Sequence, residues 1–543
     1  MKRVGVDLSE RWDREQYATT MAYASPAGMI RAATAARLAG DWRATSTAAA
    51  VDVHVDLRDV QARFGADAVA MIEADLAGFA PDLLRRHLPR NGVAALVPGM
   101  TVVLSRWPEP FRAPKPVRVP GRVFRWPGRL VRPPGTPALV VSTPSSGSAA
   151  QRLALRVADV SRLSGSWLDL PTWAWHAGAV AERRWAYGAS EQRLPWHHTD
   201  GTPYHQEVPP SADRDRAAEF ERLLAATVPG KMFDLFRSAG IEAEARDPRF
   251  PGMFAALQDR LPVLAAEARR LAHRYGELLR GSASEAVAFE FSWGGLGLAV
   301  PRDGSALRAG WDGSGWADRA AVAGFGLAAP RDVALLRWGV ITPDQLHPLV
   351  HEALFPGRTQ DWQPIVHDPY PRFRVRCGTE WHWIEAAGAS VYTRHHDNAE
   401  AELNGCARAL IGFRTGGKGV PKEIRRLRRR IFARALHGDT EGVLIDVDAG
   451  CEPGLRDEQG RTLLHWLAHL DHERVLPVLL AGGLSLEARD HDGRTPLHVA
   501  AQSAAEEVMA ALVAAGASAD VRDSGGRTAA WLLARARERE ERH

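Results

Sequence analysis

The sequence predicts a multidomain chain of two unlike parts. Residues 1–415 read as an α/β or α+β region whose fold is not identified, and an all-α repeat array follows at the C-terminal end. Three observations carry this. The triplet Gly-Arg-Thr recurs at 460–462, 493–495 and 526–528, a period of 33 residues. Val51-Asp-Val-His-Val-Asp-Leu-Arg58 alternates apolar and polar residues, as a strand with one wet face does. Between Arg106 and Pro137, nine prolines and eight basic residues occur with one acid, a shift that divides the chain.

A chain of 543 residues holds several domains and buries a large core without staples. A net charge of +4 at this length is too weak to argue for a polyanion partner by itself. Lysine occurs only at 2, 115, 231, 418 and 422, so the basic residues are nearly all arginine, the bias of a GC-rich bacterial coding sequence. Cys377, Cys406 and Cys451 show no CxxC spacing, which suits a reducing compartment and suggests neither a disulfide framework nor a zinc site. No unbroken apolar stretch approaches a membrane span, and the first residues lack a signal-peptide core, so the expected location is the cytoplasm.

In chain order, residues 1–105 read as a small α/β unit. The strand at 51–58 precedes a helical run to about Arg86, with Val60, Phe64, Val69, Ile72 and Leu76 at helical spacing. Strand character returns at 93–104. Asp52 and Asp56 share a strand face, where they are either solvated or a metal pair. Residues 106–137 form an extended strap, because proline at this density forbids helix while Phe124, Trp126, Leu130 and Val131 demand burial. A basic strip for nucleic acid is the functional alternative.

Residues 138–415 form a mixed α+β region. Ala138–Ser142 reads as a buried strand, followed by a polar loop and a helix from Ala149 to about Arg162. That geometry suits an anion, but no P-loop motif is present. Helices are expected at 217–228 and 253–279. A β-hairpin is expected around Gly294-Gly295, and a second ββ unit at 373–377 and 381–384.

The densest group of candidate ligands is His197, His198, Asp200 and His205, a weak metal candidate because adjacent histidines diverge. Tryptophans 167, 173, 175, 185 and 196 surround it, as core or as stacking faces. Around Cys377 lie His382 and His395-His396-Asp397, where a Cys/His nucleophilic pair is conceivable beside a core role. No catalytic motif is found, so no catalytic residue and no cofactor are assigned. Lys422–Arg430 is an amphipathic basic helix leading into the first repeat unit.

In the fullest repeat copy, Asp490-His-Asp-Gly-Arg-Thr-Pro-Leu-His-Val-Ala-Ala501, glycine suits a tight turn. Thr495 suits a helix cap, and Pro496 the first helical turn. This segment resembles the ankyrin repeat, a β-turn followed by two antiparallel helices. The resemblance implies an ankyrin-repeat solenoid over 422–543, with good copies near 457–489 and 490–522 and degraded caps near 424–456 and 523–543. It implies protein binding, as an adaptor or scaffold, through the turn tips and the exposed positions of the first helices. Those positions are Glu458, Gln459, Arg461, His469, His491, Asp492, Arg494, Gln502, Ser503 and Arg527. Nucleic acid is the lesser alternative as a partner, and no membrane is expected. The other class is an enzyme, possibly a metal-dependent hydrolase, centred on His197, His198, Asp200 and His205, with the repeats recruiting its substrate.

Overall fold

The first sheet is built from strands on both sides of the proline-rich segment. In the computed structural model, the described residues are 18, 20–88, 90–91, 95–106, 137–145, 150–159, 163, 167–204, 215–225, 234, 236–237, 240–243, 265, 285–291, 294–300, 306–310, 320–323, 332–365, 373–377, 379–387, 390–393, 405–415, 422–448 and 455–540. Strand β1 is Val51–His54, and β2 (Arg90–Asn91) pairs with β3 (Ala95–Leu96) as a small ribbon. Then come β4 (Thr101–Arg106), β5 (Pro137–Ser142), β6 (Leu153–Asp159) and β7 (Trp167–Asp169). Their order is β1-β6-β5-β4-β7, parallel at both edges and antiparallel between. The apolar run 138–141 is central and buried on both faces. Leu139 and Val141 face the main core, while Ala138 and Val140 face a small second cluster. Residues 51–106 and 137–169 therefore share one sheet.

Two readings of this part are corrected. Residues 153–159 are a strand rather than a helix, so no helix N-terminus follows the polar loop at residue 149 to face an anion. Leu153 and Leu155 alternate into the core and pair with β1 and β5, and this pairing overrides the helical spacing. Asp52 and Asp56 do not form a metal pair. Asp52 binds Arg152 at 2.6 Å, and Asp56 caps the next helix by accepting from the Arg58 N–H at 2.8 Å. That cap also ends the strand at His54. The helical run beyond it is three helices, α3 (Leu57–Phe64), α4 (Ala66–Ala77) and α5 (Pro81–His87), after α1 (Ala27–Leu38) and α2 (Trp42–Ala48). Gly65, at φ 91°, makes the first break.

A second sheet comprises β8 (Ile241–Ala243), β9 (Glu285–Phe291), β10 (Gly294–Val300), β11 (Leu307–Gly310) and β12 (Ala320–Ala323), in the order β12-β9-β10-β11-β8. The expected hairpin is β9–β10. Its glycines lie in the strand, Gly294 opposite Phe291 and Gly295 opposite Glu290, rather than forming the link. Helix α6 is Val180–Ala186, α7 Arg216–Ala225, α8 Asp332–Arg337 and α9 Pro348–Leu354. The expected strap at 106–137 and helix at 253–279 lie almost wholly outside the described residues.

Helices α8 and α9 join the first core through buried charge. The Asp82 carboxylate on α5 meets Arg37 at 3.2 Å and His347 Nε2 at 2.9 Å, all three being nearly or fully buried. The Leu349 N–H donates to His347 Nδ1 at 3.3 Å, so Nε2 carries the proton and donates to Asp82. Burial holds the His347 pKa down despite the carboxylate. Arg86 and the Tyr187 hydroxyl meet Asp332 at 3.1 and 3.0 Å.

The remaining elements form a second core. Strands β13 (Phe373–Cys377), β14 (Glu380–Ala387) and β15 (Ser390–Thr393) make an antiparallel sheet in that order. Helix α10 (Gly405–Thr415) follows, then α11 (Lys422–Leu436), α12 (Thr440–Asp448), a 3-10 turn at Leu463–His469, α13 (His472–Ala481), α14 (Pro496–Gln502), α15 (Glu506–Ala514) and α16 (Ala529–Glu540). Val375, Ile384, Cys406 and Phe413 belong to one cluster with Ile431, Leu464, Leu497 and Leu532. The α+β region expected as one piece over 138–415 is thus shared between two cores. They meet where the Tyr23 ring stacks on His437, at 5.9 Å. Among the described residues, no helix is long and apolar enough to cross a membrane.

Asp82→Ala leaves Arg37 buried without its carboxylate and should cost about 3–5 kcal/mol. Urea unfolding followed by the fluorescence of buried Trp173, Trp175 and Trp196 measures it. A loss under about 1 kcal/mol would show that the network does not hold α9 to the sheet.

Candidate functional site

Each repeat turn is folded around one buried carboxylate. Asp457, Asp490 and Asp523 accept, at Oδ1, the N–H groups two and four residues on, at 2.8–2.9 Å. Their own N–H groups donate to the carbonyls of Arg461, Arg494 and Arg527, all at 2.9 Å. The glycine in each turn has positive φ: 79° at Gly460, 71° at Gly493 and 74° at Gly526. A Cβ on Gly493 would also lie 2.6 Å from Ser524 Oγ, so the neighbouring turn requires glycine as well.

The units are joined by hydrogen bonds at the repeat period. The His491 N–H donates to the Gln459 carbonyl and the Ser524 N–H to that of Asp492, both at 2.9 Å. Arg456 Nη1 donates to the Arg489 carbonyl at 2.7 Å, and Arg489 Nη1 to that of Arg522 at 3.1 Å. His465 Nε2 donates to the Arg494 carbonyl and His498 Nε2 to that of Arg527, both at 3.1 Å. Because those carbonyls only accept, Nδ1 is the acceptor in each ring. It takes the Thr462 hydroxyl at 3.0 Å and the Thr495 hydroxyl at 2.8 Å. The histidine thereby couples the cap of its own helix to the next unit.

Residues 431–523 match the family model for ankyrin repeats, in three copies. This part of the chain is an ankyrin-repeat region. The match begins inside α11, so it includes the first unit, which lacks the Gly-Arg-Thr turn. No curated protein matches the chain.

The ankyrin turns sort the expected partner-binding residues into two groups. Glu458, Gln459, His491 and Asp492 are exposed at successive tips, beside Ser524. Gln502 and Ser503 are half-buried at the end of α14. Arg461, Arg494 and Arg527 are part of the scaffold. Arg461 lies 3.7 Å from Asp490 of the next unit, Arg494 pairs with the tip residue Asp492 at 2.8 Å and lies 3.9 Å from Asp523, and Arg527 pairs with Asp523 at 2.8 Å. His469 also turns inward, with Nδ1 3.3 Å from the Leu436 carbonyl and its ring beside Trp466. Burial pushes the pKa values of His465 and His469 down to about 4. The basic helix α11 is similarly engaged: Arg428 is buried and donates to the Gly412 carbonyl, and Arg429 pairs with Glu458 at 2.7 Å.

The described members of the histidine group at 197–205 do not converge. His197 is buried, with Nδ1 2.8 Å from the Pro195 carbonyl. His198 meets the Tyr204 ring at 4.3 Å, and Asp200 accepts from the Thr202 N–H and hydroxyl at 2.8 and 2.7 Å, as a turn does. His205 lies outside the described residues, as do His395, His396 and Asp397. Of the nearby tryptophans, 173, 175 and 196 are core residues. What the sequence reading missed is a group assembled across a hairpin and a helix. Ligand atoms of Cys377, His382 and Cys406 lie within 4.8 Å of one another. Reading the hairpin's alternation would have placed Cys377 and His382 on one face, but no spacing announces Cys406.

Two outcomes follow for the scaffold. Thr495→Ala removes a buried cap hydroxyl and should lower stability by about 1 kcal/mol, read as a shift of the thermal midpoint. An unchanged midpoint would remove the cap from the account. The second outcome concerns pH. His465 titrates near 6.5 when unfolded and near 4 when folded. Its stabilisation is complete above pH 6.5 and is lost as pH falls toward 4, by at most ~3 kcal/mol. Buried Asp446, raised to about 6, works in the opposite sense, so the comparison must be with a variant. His465→Gln keeps a side chain able to reach back to the cap. The wild type's stability advantage over it should shrink between pH 7 and 4, and a constant difference would contradict the assignment.

Proposed function

We propose that the chain is a protein-interaction protein, an adaptor or scaffold, that docks a partner on its ankyrin tips. The observation that carries this reading is a row of exposed side chains, Glu458, Gln459, His491, Asp492 and Ser524, set on turns bonded to one another at 2.9 Å. A surface already fixed by its backbone loses little conformational entropy when a partner binds. The reading takes 422–543 as a solenoid of local contacts, with good copies at 457–489 and 490–522 between caps at 424–456 and 523–543. Gln502 and Ser503 extend the strip toward α14. Arg461, Arg494, Arg527 and His469 serve it by fixing the units.

A polyanion partner finds less support, since Arg428 and Arg429 of the basic helix are already engaged. The enzyme reading centred on His197, His198, Asp200 and His205 is not retained, because its described members are a buried side chain and a loop turn.

The test is a full-length variant carrying Gln459→Ala, His491→Ala and Asp492→Ala. Exposed substitutions of this kind change stability by within about 0.5 kcal/mol each, so the melt should be nearly unchanged. Affinity capture from the source cells identifies the partner, and calorimetry with that purified partner should show binding weakened by at least ~10-fold, or about 1.4 kcal/mol. Wild-type affinity in the triple variant would sink the tip reading.

A further inference from the structure

Strand alternation sorts the β13–β14 hairpin into two faces. Arg374 pairs with Trp383 and Arg376 with Trp381 on the outer face, where all four are exposed. Val375 pairs with His382 and Cys377 with Glu380 on the inner face, against α10. Cys406 sits in the first turn of α10 and meets the inner face from the other side. The Cys377 and Cys406 Sγ atoms are 3.1 Å apart, inside van der Waals contact, and His382 Nδ1 is 3.7 Å from Cys406 Sγ. Neither cysteine is in a disulfide, and both are buried.

We propose that Cys377, Cys406 and His382 bind a zinc ion that clamps the hairpin to α10. Two sulfurs and an imidazole are a soft donor set, which suits zinc and not magnesium or calcium. With Zn–S near 2.3 Å and Zn–N near 2.0 Å, tetrahedral ligand atoms lie roughly 3.5–3.8 Å apart. The Sγ–Nδ1 distance already meets this, and the sulfurs need to open by roughly 0.6 Å. Two further contacts prepare the donors. The Cys406 N–H, at the start of α10, donates to Cys377 Sγ at 3.0 Å, which orients that sulfur at the helix start. His382 Nε2 lies 3.3 Å from a Glu380 carboxylate oxygen, so Nε2 carries the proton and the Nδ1 lone pair is turned to the sulfurs. A carboxylate on the far nitrogen is the usual support of a metal-bound histidine.

On binding, two Zn–S bonds and one Zn–N bond form, and the two thiol protons leave to solvent. The ion and two thiolates sum to zero charge, which suits a site where Cys406 is only 1% exposed. Three protein donors leave the fourth position to solvent at the rim, beside exposed Glu380. The clamp is structural: α10 continues through Ala409 and Phe413 into the cluster with Ile431 and Phe432 of α11. Zinc there would fix the sheet onto the first ankyrin unit.

The full-length chain, purified under reducing conditions without chelator, should carry stoichiometric zinc by elemental mass spectrometry. Cys377→Ser and Cys406→Ser should each lower that content by at least ~10-fold. A chelator should lower the thermal midpoint of the wild type and leave the double serine variant unmoved. If the serine variants do not fold, titration of the chelated wild type with cobalt decides, since sulfur ligation gives thiolate-to-cobalt charge-transfer bands. Zinc that persists in the double variant, a metal-free chain with both thiols titratable, cobalt without charge-transfer bands, or a Cys377–Cys406 disulfide by peptide mapping would each overturn the proposal.

Discussion

The C-terminal repeats depend on one buried imidazole set between each turn and the next. The carbonyls of Arg494 and Arg527 already accept the Asp490 and Asp523 N–H of their own turns at 2.9 Å, and His465 and His498 of the preceding units add a second N–H at 3.1 Å. A buried imidazole N–H left unmet would cost more than an ordinary hydrogen bond gains, so each unit is held to the next by a requirement as well as by apolar contact. The same imidazole accepts the cap threonine, which fixes its tautomer. One side chain therefore sets the helix start, the turn and the distance between units.

Burial of charge organises the other half in a comparable way. Asp82 and His347 are fully buried, and Arg85 and Arg183 are enclosed by backbone carbonyls. Such groups contribute little net stability relative to apolar residues, yet removing one partner is costly. They tie α5, α6 and α9 together, since the partners of each lie on different elements. The helices then hold the tryptophans against one face of the first sheet. The histidines of that core serve it by packing and by hydrogen bonding, His87 against the Trp173 ring and His347 on Asp82.

The repeat tips divide labour between backbone and side chain. The arginines of the recurring triplet are charged and look free in the sequence, but each is drawn to a buried aspartate of its own or the next turn. The pair of residues just before each glycine stays exposed at the tip. The turn itself is closed by the buried aspartate and the positive-φ glycine, and not by the side chains at its tip.

The sequence by itself determined the periodic part of this protein. The 33-residue spacing, the Asp, Gly and Thr of each turn, the His of the first two, and the β13–β14 and β9–β10 hairpins were legible because they rest on contacts within a few tens of residues. Tertiary structure decided the rest. Residues 153–159 became a strand because β1 and β5 offered partners more than ten residues away, whatever their local spacing. Arg461, Arg494 and His469 turned inward because the neighbouring unit brings a carboxylate or a carbonyl to them. Cys377 and Cys406, 29 residues apart without a motif, met because a strand face and a helix start converge on one core. Local chemistry can be read along a chain; the partner of a buried polar group is chosen only when distant segments close around it.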